Sequence, residues 1–410
     1  MIADHLWKTR CVVLDAGMSP KYIDGITRGR TGLVVDKALP QHRDKLLAGD
    51  LKGVPVLELT ARPVDVGTLR VVGTFIRENG LQTVVGLGGG SVLDAVKLAA
   101  LFTADPSLPI FAERHAKRSG LLVLPPVTTT KERPKTILMP STVGTGAEVS
   151  GVACLDTAVG RRLIVSRRLA GDTAMLDAGH LATLPTAMVF EGLLEAFLRV
   201  AGTMIGSTAN MFDDDGYSLI QRIIRLSQRL LRGDSPELRL AAGRLSMETH
   251  TGWALMGRNP YGAKHWYVAN ELAYVTGERK MAATASVIGP IWREIASGAA
   301  AWGDKARLHE LWAVVRDVEP SLDPSPGGGI DELMSRWGIA GLGAISKDTE
   351  SRTADATVQN WGGALPMLRG IDAVQVQHVL AGAAAATRTA AAAQNLPSPV
   401  GQLRVAGERG

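Results

Sequence analysis

The sequence contains few cysteines and few aromatic residues. Only two of its 410 residues are cysteine, Cys11 and Cys154, and neither belongs to a CxxC or CxxH pair. A disulfide framework and a thiolate zinc site are therefore excluded, and a reducing compartment is expected. Aromatic residues make up 5% of the chain, and no run of lysine and arginine alternates with them. We therefore expect no nucleic-acid partner.

Long hydrophobic runs are also missing. No stretch approaches 18 uncharged apolar residues, and the N-terminus lacks a basic start followed by an apolar run. These features predict a cytoplasmic protein without a membrane partner. Hydrophobic residues make up 46% and charged residues 21%, so the chain can bury a large core. The formal net charge of +5 then needs another explanation.

The first half of the chain alternates β-branched runs with helical stretches, which is typical of a parallel sheet covered by helices. Strands are predicted at residues 31–36, 54–59, 83–87, 121–124 and 137–139, and helices at 66–79 and from 92 onwards. Beyond Pro185 the predicted helices are 187–205, 215–232, 236–256, 264–275, 282–300, 304–317, 330–337 and 371–394. This pattern predicts a Rossmann-like α/β domain (residues 1–184), an all-α domain (residues 185–410) and a cleft between them.

A glycine-rich turn follows one predicted strand. The strand at 83–87 runs into Gly88, Gly89, Gly90 and Ser91, where a helix begins. Glycines let backbone amides approach an anion, and a helix N-terminus adds partial positive charge, so the turn is typical of a phosphate-binding loop. The alternative is that these glycines only form a tight turn.

A second turn of small residues follows another strand. Residues 140–149 read PSTVGTGAEV, and the polar side chains of this turn are Ser141, Thr142 and Thr145. Two such turns at strand ends can hold both ends of a dinucleotide. Asp36, at the end of the first predicted strand, can bond a ribose hydroxyl or stand as an exposed strand end.

These motifs resemble those of one enzyme superfamily. Residues 87–97 (LGGGSVLDAVK) resemble the GGGSxxDxxK signature of the iron-containing alcohol dehydrogenases, which share their fold with dehydroquinate synthase. Residues 140–149 resemble the superfamily's PTTxGTGSEV loop, and residues 171–185 resemble the stretch that leads into its helical domain. The resemblance implies that NAD(P) binds between the two domains.

The resemblance also implies which residues bind the cofactor. They are Asp36, Gly88, Gly89, Gly90, Ser91, Asp94, Ser141, Thr142 and Thr145. An acidic residue at position 36 disfavours a 2′-phosphate, so NAD is expected rather than NADP. Arg161 and Arg162 fall near a position where the superfamily often has a basic cofactor contact, with solvated charge as the alternative.

The superfamily's metal ligands are only partly present. Its members usually hold a divalent metal with one aspartate and three histidines, the first two in a DAxxHA motif. The matching stretch here carries Glu191 and Glu195, while His265 falls at the third position and Met281 at the fourth. Glutamates four residues apart share a helix face and can share a cation, but methionine is a poor ligand for a borderline dication. A metal on the two glutamates and His265 is one hypothesis.

The competing hypothesis replaces the metal with a side-chain cation. Lys264, Arg279 or Lys280 then occupies the vacated space and pairs with one of the glutamates. His250 has a weaker case for a functional role. The acidic run at 213–215 is interpreted as the solvated start of a helix rather than a metal cluster.

A hydride-transfer enzyme must remove the hydroxyl proton of its substrate and stabilise the oxyanion. Without a metal, His265 or a lysine of depressed pKa acts as the base and Lys264 holds the oxygen; the expected catalytic residues are His265, Lys264 and Glu195. Such a site suits a β-hydroxy acid, whose β-keto product loses CO2 readily. The chain resembles a metal-degenerate branch of the superfamily in ribosomal-peptide (daptide) biosynthesis, which implies oxidative decarboxylation of a C-terminal threonine.

Two other functions remain open. One is a metal-dependent carbocycle-forming synthase of the dehydroquinate type, and the other is a catalytically silent member that acts as a binding partner. The expected partners are a small-molecule or peptide substrate with a carboxylate and further copies of the chain. Part of the surplus positive charge is then explained by Arg258, Lys264, Arg279 and Lys280, near the position of the superfamily's metal.

Overall fold

The computed structural model describes residues 9–14, 23, 27, 29–49, 51–126 and 131–394. The strands are β1 (Arg10–Leu14), β2 (Thr31–Asp36), β3 (Val56–Leu59), β4 (Thr83–Gly88), β5 (Leu121–Val123), β6 (Lys135–Pro140), β7 (Val152–Thr157), β8 (Gly160–Val165) and β9 (Thr173–Asp177). The helices among these elements are α1 (Pro40–Ala48), α2 (Val66–Glu78), α3 (Gly90–Ala104), α4 (Ser107–His115) and α5 (Ala178–Leu181). They continue with α6 (Thr186–Ile205), α7 (Asp213–Arg232), α8 (Pro236–Thr251), α9 (His265–Thr276), α10 (Lys280–Ser297), α11 (Lys305–Val318), α12 (Pro326–Arg336), α13 (Lys347–Trp361) and α14 (Ala373–Gln394).

A six-stranded parallel sheet forms the core of the first half, in the order β1-β9-β6-β4-β2-β3. All six residues of β4 are buried, which explains why this strand reads as a continuous apolar run. The register of β4 on β6 pairs Gly88 with Pro140. The glycine-rich turn and the turn after β6 therefore start side by side at the same edge of the sheet.

The second half is helical, as predicted, and α6 lies at its centre. Of its 20 residues, 15 are buried, including the carboxylate-bearing Glu195. The boundary predicted at 184/185 falls just before this helix begins at Thr186. Within the described part of the chain, no single helix is long and apolar enough to span a membrane, although α3 and α4 together pass by length and composition as a pair bent by 117°.

The prediction missed a second sheet, in which β5 and β8 are parallel and β7 pairs with β8 in antiparallel fashion. Strand β5 agrees with the strand predicted at 121–124, whereas β7 and β8 carry aspartate and arginine residues that mask an apolar pattern. Helix α13 was also missed, because its threonine- and aspartate-rich sequence gives little apolar periodicity. The predicted helix 236–256 ends at Thr251 because Gly252 leaves the helical conformation.

The acidic run at 213–215 does begin a helix, α7, but Asp213 is not simply solvated. Its carboxylate accepts hydrogen bonds from Arg258 at 2.8 Å and from both terminal nitrogens of Arg307 at 2.7 and 2.9 Å. Both arginines are buried. Burial raises the pKa of Asp213, but the hydrogen bonds and charges of Arg307 and Arg258 outweigh it and lower that pKa below its ordinary value. Arg258 is therefore a structural cation and not one of the cations at the metal position.

We expect Asp213→Asn to lower the free energy of unfolding by about 3 kcal/mol, because two buried guanidinium groups lose their common anion. Asp214→Asn is the matched control on the same helical turn, where the side chain is exposed, and its effect should stay below about 1 kcal/mol. Since the pKa of Asp213 is depressed in the folded state, its stabilisation is complete above about pH 4 and disappears as the pH falls further. Urea unfolding at pH 7 and pH 3 measures both effects, and equal losses in the two variants would contradict this account.

Candidate active site

The two predicted loops lie against each other at the end of the sheet. The amide of Ser141 donates to the carbonyl of Gly88 at 3.0 Å. A Cβ on Gly89 would lie 3.2 Å from Cγ2 of Thr142, and one on Gly90 would lie 3.0 Å from Cγ2 of Thr145. Glycine therefore lets the first turn pack closely against the second, and the N-terminus of α3 lies beside both turns.

The second turn is also fixed to the helical half of the chain. Gly144 adopts a φ of 106°, and a Cβ there would lie 2.5 Å from the Cα of Gly192 on α6. Its amide donates to Oγ of Ser246 at 3.0 Å. A Cβ on Gly146 would lie 2.1 Å from the ring of His250, and burial lowers the pKa of this histidine well below its usual value. His250 thus packs beneath the turn as a neutral side chain.

Two predicted cofactor residues have other contacts. The carboxylate of Asp94 accepts the amide of Cys154 at 2.9 Å and lies 3.0 Å from Nζ of Lys97. Lys97 also donates to the carbonyl of Val152 at 2.6 Å. This buried ion pair fastens α3 to β7, and a cofactor contact of Asp94 stays a prediction. Asp36 accepts the amide of Ala38 at 3.0 Å at the end of β2, and its ribose contact remains a prediction.

Arg161 and Arg162 serve the fold of the second sheet. Arg161 pairs with Asp156 on the neighbouring strand at 2.7 Å. Arg162 is buried and donates to the carbonyls of Ala116 and Val159 at 2.6 and 2.9 Å. Both guanidinium groups are thus engaged in structural contacts. The alternative prediction, that these arginines are solvated charges, is wrong for Arg162 because that residue is buried.

The two glutamates of α6 are paired with cations. Arg279 forms a two-pronged interaction with Glu191, at 2.7 and 2.8 Å. Glu195 lies 3.6 Å from Arg199, one turn along the same helix, and 3.7 Å from Nζ of Lys280. Three cations against two carboxylates leave one positive charge in excess on this face of α6.

His265 is the first residue of α9, and Lys264 precedes it. Both lie beside the later part of α6, away from the two glutamates. A Cβ on Gly202 would lie 2.7 Å from Cε1 of the His265 ring, and Gly202 is two helical turns, roughly 10 Å, beyond Glu195. The ring borders a cavity of about 10 Å³. Neither His265 Nε2 nor Trp302 Nε1, both buried beside that cavity, has a hydrogen-bond partner among the described residues. Burial is the main cause that lowers the pKa of His265 to about 3, and the positive charge of Lys280 is the second cause. The ring is therefore neutral.

These positions do not fit a divalent metal. Among the described residues no three side chains of histidine, cysteine, aspartate or glutamate lie close enough to hold one. The predicted ligand set of Glu191, Glu195 and His265 is therefore wrong as a cluster: Arg279 engages one carboxylate, two cations flank the other, and the imidazole faces Gly202. The competing prediction is correct for Arg279 and Lys280. It is wrong for Lys264, whose Nζ donates to the carbonyl of Ala301.

The turns do fit a dinucleotide. The glycine positions leave backbone exposed at a helix N-terminus, the arrangement that accepts a pyrophosphate. Thr142 Oγ1 is buried beside it with no hydrogen-bond partner within the described ranges, as expected of a group that bonds a ligand. Residues 88–91 of the first turn, with Ser141, Thr142 and Thr145 of the second, are the ones that would hold the cofactor.

The chain thus combines a parallel sheet, a glycine-rich turn that opens α3 and a helical second half. Residues 25–178 match the family described as iron-containing alcohol dehydrogenase. This match covers less than half of the chain, so residues 25–178 are similar to that family. The chain as a whole shares the fold of the solved structures that follow.

Two solved structures share this fold over 92% of the chain. An iron-containing alcohol dehydrogenase from Thermococcus thioreducens superposes with a TM-score of 0.72 at 18% identity, covering 98% of that protein. NADH-dependent butanol dehydrogenase A from Thermotoga maritima superposes with a TM-score of 0.70 at 17% identity, covering 97%. In sequence, long-chain-alcohol dehydrogenase 1 of Geobacillus thermodenitrificans is 28% identical over 175 residues, which are 42% of this chain and 40% of that relative. The alignment thus spans well under half of the relative.

Sequence reasoning missed two ionisable side chains of the site. Arg199 lies one turn after Glu195 and donates to carbonyls of the second turn. The available signal was a single arginine in a largely apolar helix whose other charged residues are the two glutamates. Glu148, within the second motif, is buried with Oε2 lacking a hydrogen-bond partner in the described part. Burial raises the pKa of Glu148, against the opposing charges of Lys97 and Arg199.

We expect Gly90→Ala to weaken NAD binding by about tenfold or more, because the added methyl group meets Thr145 and separates the two turns. The free energy of unfolding should change by less than about 1 kcal/mol. Gly343→Ala is the control, since no atom lies within 4 Å of a Cβ at that glycine, and it should leave both quantities unchanged. Calorimetric titration with NAD measures the effect, and wild-type affinity in Gly90→Ala would refute the assignment of the turn.

Proposed function

We propose that the protein is an NAD-dependent oxidoreductase that oxidises the hydroxyl group of an acidic substrate without a divalent metal. The observation that carries the proposal is the pairing of both metal-position glutamates with cations, next to two intact dinucleotide turns. Support for the oxidoreductase class comes from the match of residues 25–178 to the alcohol dehydrogenase family. The synthase alternative is disfavoured because no complete ligand set for its metal is present among the residues that the structure describes.

A carboxylate of the substrate finds its counter-charges at the start of α10. The side chains of Arg279 and Lys280 are 60% and 34% exposed to solvent, so a ligand can reach both. Adjacent cations that are already held in place bind a carboxylate with little further ordering. The excess positive charge on this face of α6 is neutralised when the acid binds.

Chain residues can carry the proton and the developing charge. Bound NAD supplies the hydride acceptor. We place Glu195 as the acceptor of the hydroxyl proton and Lys280 as the cation that stabilises the substrate oxygen. Glu195 is preferred to His265 because the imidazole faces the internal cavity beside Gly202. Lys264 donates a hydrogen bond to the carbonyl of Ala301 at the same cavity. It therefore adds to the electrostatic potential of the site without contacting the substrate.

The specific reaction we propose is oxidative decarboxylation of a β-hydroxy acid, such as the C-terminal threonine of a ribosomally made peptide. Hydride leaves the β-carbon and the hydroxyl proton leaves to the base, which gives a β-keto acid. The bond to the carboxyl carbon then breaks, CO2 departs, and the electron pair passes to the ketone oxygen beside Lys280. A proton from solvent completes the ketone.

The test is incubation of the protein with NAD and either 3-hydroxybutyrate or a peptide that ends in threonine. We expect NADH and CO2 in equal amounts, since one hydride and one carboxyl group leave each substrate molecule. Absorbance and trapped CO2 are measured together. Formation of NADH without CO2 would support an alcohol dehydrogenase and refute the decarboxylation. Absence of NAD binding would favour a catalytically silent binding partner.

We further expect Arg279→Gln combined with Lys280→Gln to raise the KM for the acid by about tenfold to a hundredfold, because charge-assisted hydrogen bonds are lost. The affinity for NAD should change little. Lys305→Gln, an exposed cation at the start of α11, is the control. An equal loss of affinity for the acid and for NAD would contradict the assignment of these cations to the substrate.

A further inference from the structure

Arg199 links the paired charges of α6 to the second turn. Its guanidinium donates to the carbonyls of Gly144 and Thr145 at 2.6 and 3.3 Å and lies 3.6 Å from Glu195. We propose that Arg199 is a positioning residue that holds this turn and makes the site bind reduced nicotinamide more tightly than oxidised nicotinamide. The inference rests on the proposed function, because it assumes that the nicotinamide lies beside this turn.

The arginine is a fixed charge. Its side chain is 12% exposed, and a further hydrogen bond of 2.8 Å runs to Oγ1 of Thr249 on α8. A guanidinium group does not lose its proton in proteins, and its planar set of donors is held here from three directions. The positive charge is therefore constant in amount and in place.

The two forms of the cofactor differ in charge at one end only. The oxidised nicotinamide ring carries a positive charge that the reduced ring lacks, while the adenosine and pyrophosphate are the same. A fixed cation near the ring therefore disfavours the oxidised form, and the poor screening of a buried position strengthens the effect. Glu195 and the buried carboxyl group of Glu148 act in the opposite sense, while Lys280 and Lys97 add to the charge of Arg199.

A direction of reaction follows from this difference in affinity. If the site stabilises the reduced form relative to the oxidised form, the equilibrium on the protein shifts toward hydride arriving on the nicotinamide. The substrate carbon loses the hydride, the ring changes from positive to neutral, and the hydroxyl proton passes to Glu195. The site thereby favours oxidation of the alcohol over reduction of the carbonyl compound.

The test is the ratio of the Kd for NAD to the Kd for NADH, measured by titration of the whole protein with each nucleotide. Arg199→Met should lower this ratio on the order of tenfold, because one buried unit charge is removed. Glu195→Gln should raise the ratio, because it removes the opposing charge at nearly constant shape. Arg199→Lys keeps the charge and should keep most of the ratio.

Arg258→Met is the matched control. It also removes a buried arginine from the helical half, but that arginine pairs with Asp213, so stability should fall while the ratio stays constant. If the ratio falls in Arg199→Met and rises in Glu195→Gln, the inference is supported. If Arg199→Met does not fold, the ratios of Glu195→Gln and Arg199→Lys decide the question. Ratios within about twofold of wild type, with both nucleotides still bound, would overturn it. If the wild-type protein binds neither nucleotide, the proposed function fails as well.

Discussion

The contact between the backbones of Gly144 and Gly192 sets the geometry of the whole site. A Cβ on Gly144 would lie 2.5 Å from the Cα of Gly192, and one on Gly192 would lie 2.5 Å from the carbonyl oxygen of Val143. The turn after β6 and the helix α6 therefore meet only because neither glycine has a Cβ. This approach brings the carbonyls of the turn within reach of Arg199. It also holds the turn against the glycine-rich start of α3. Sheet, cofactor turns and charged helix face are thereby fixed relative to one another through one close backbone contact.

Charge pairing then determines which chemistry this scaffold can support. A helix that is buried along most of its length cannot leave two glutamates without compensation, because an unpaired buried carboxylate is costly. In this chain the compensation comes from Arg199, Arg279 and Lys280 rather than from a dication. Three cations thus face the two glutamates of this helix, and the proposed anionic substrate rests on that arrangement.

The fold class and the two turns were predictable from sequence because they depend on local patterns. The strand before Gly88 reads as a buried run, and glycines at a helix start have a direct physical meaning. The surroundings of Asp94 and His265 were not predictable, since both depend on what tertiary packing places opposite these side chains. The pattern of the motif suggested a cofactor contact for Asp94, but packing directs it to the amide of Cys154 on β7. Arg199 was missed because its partners are backbone carbonyls far away in sequence.

The most direct test of the central claim is a crystal structure of the protein soaked with NAD and Zn²⁺, with zinc located by anomalous scattering. The account predicts nucleotide across the two turns, Arg279 still paired with Glu191, and no zinc on α6. Zinc bound by Glu191, Glu195 and His265, with the arginine displaced, would contradict it.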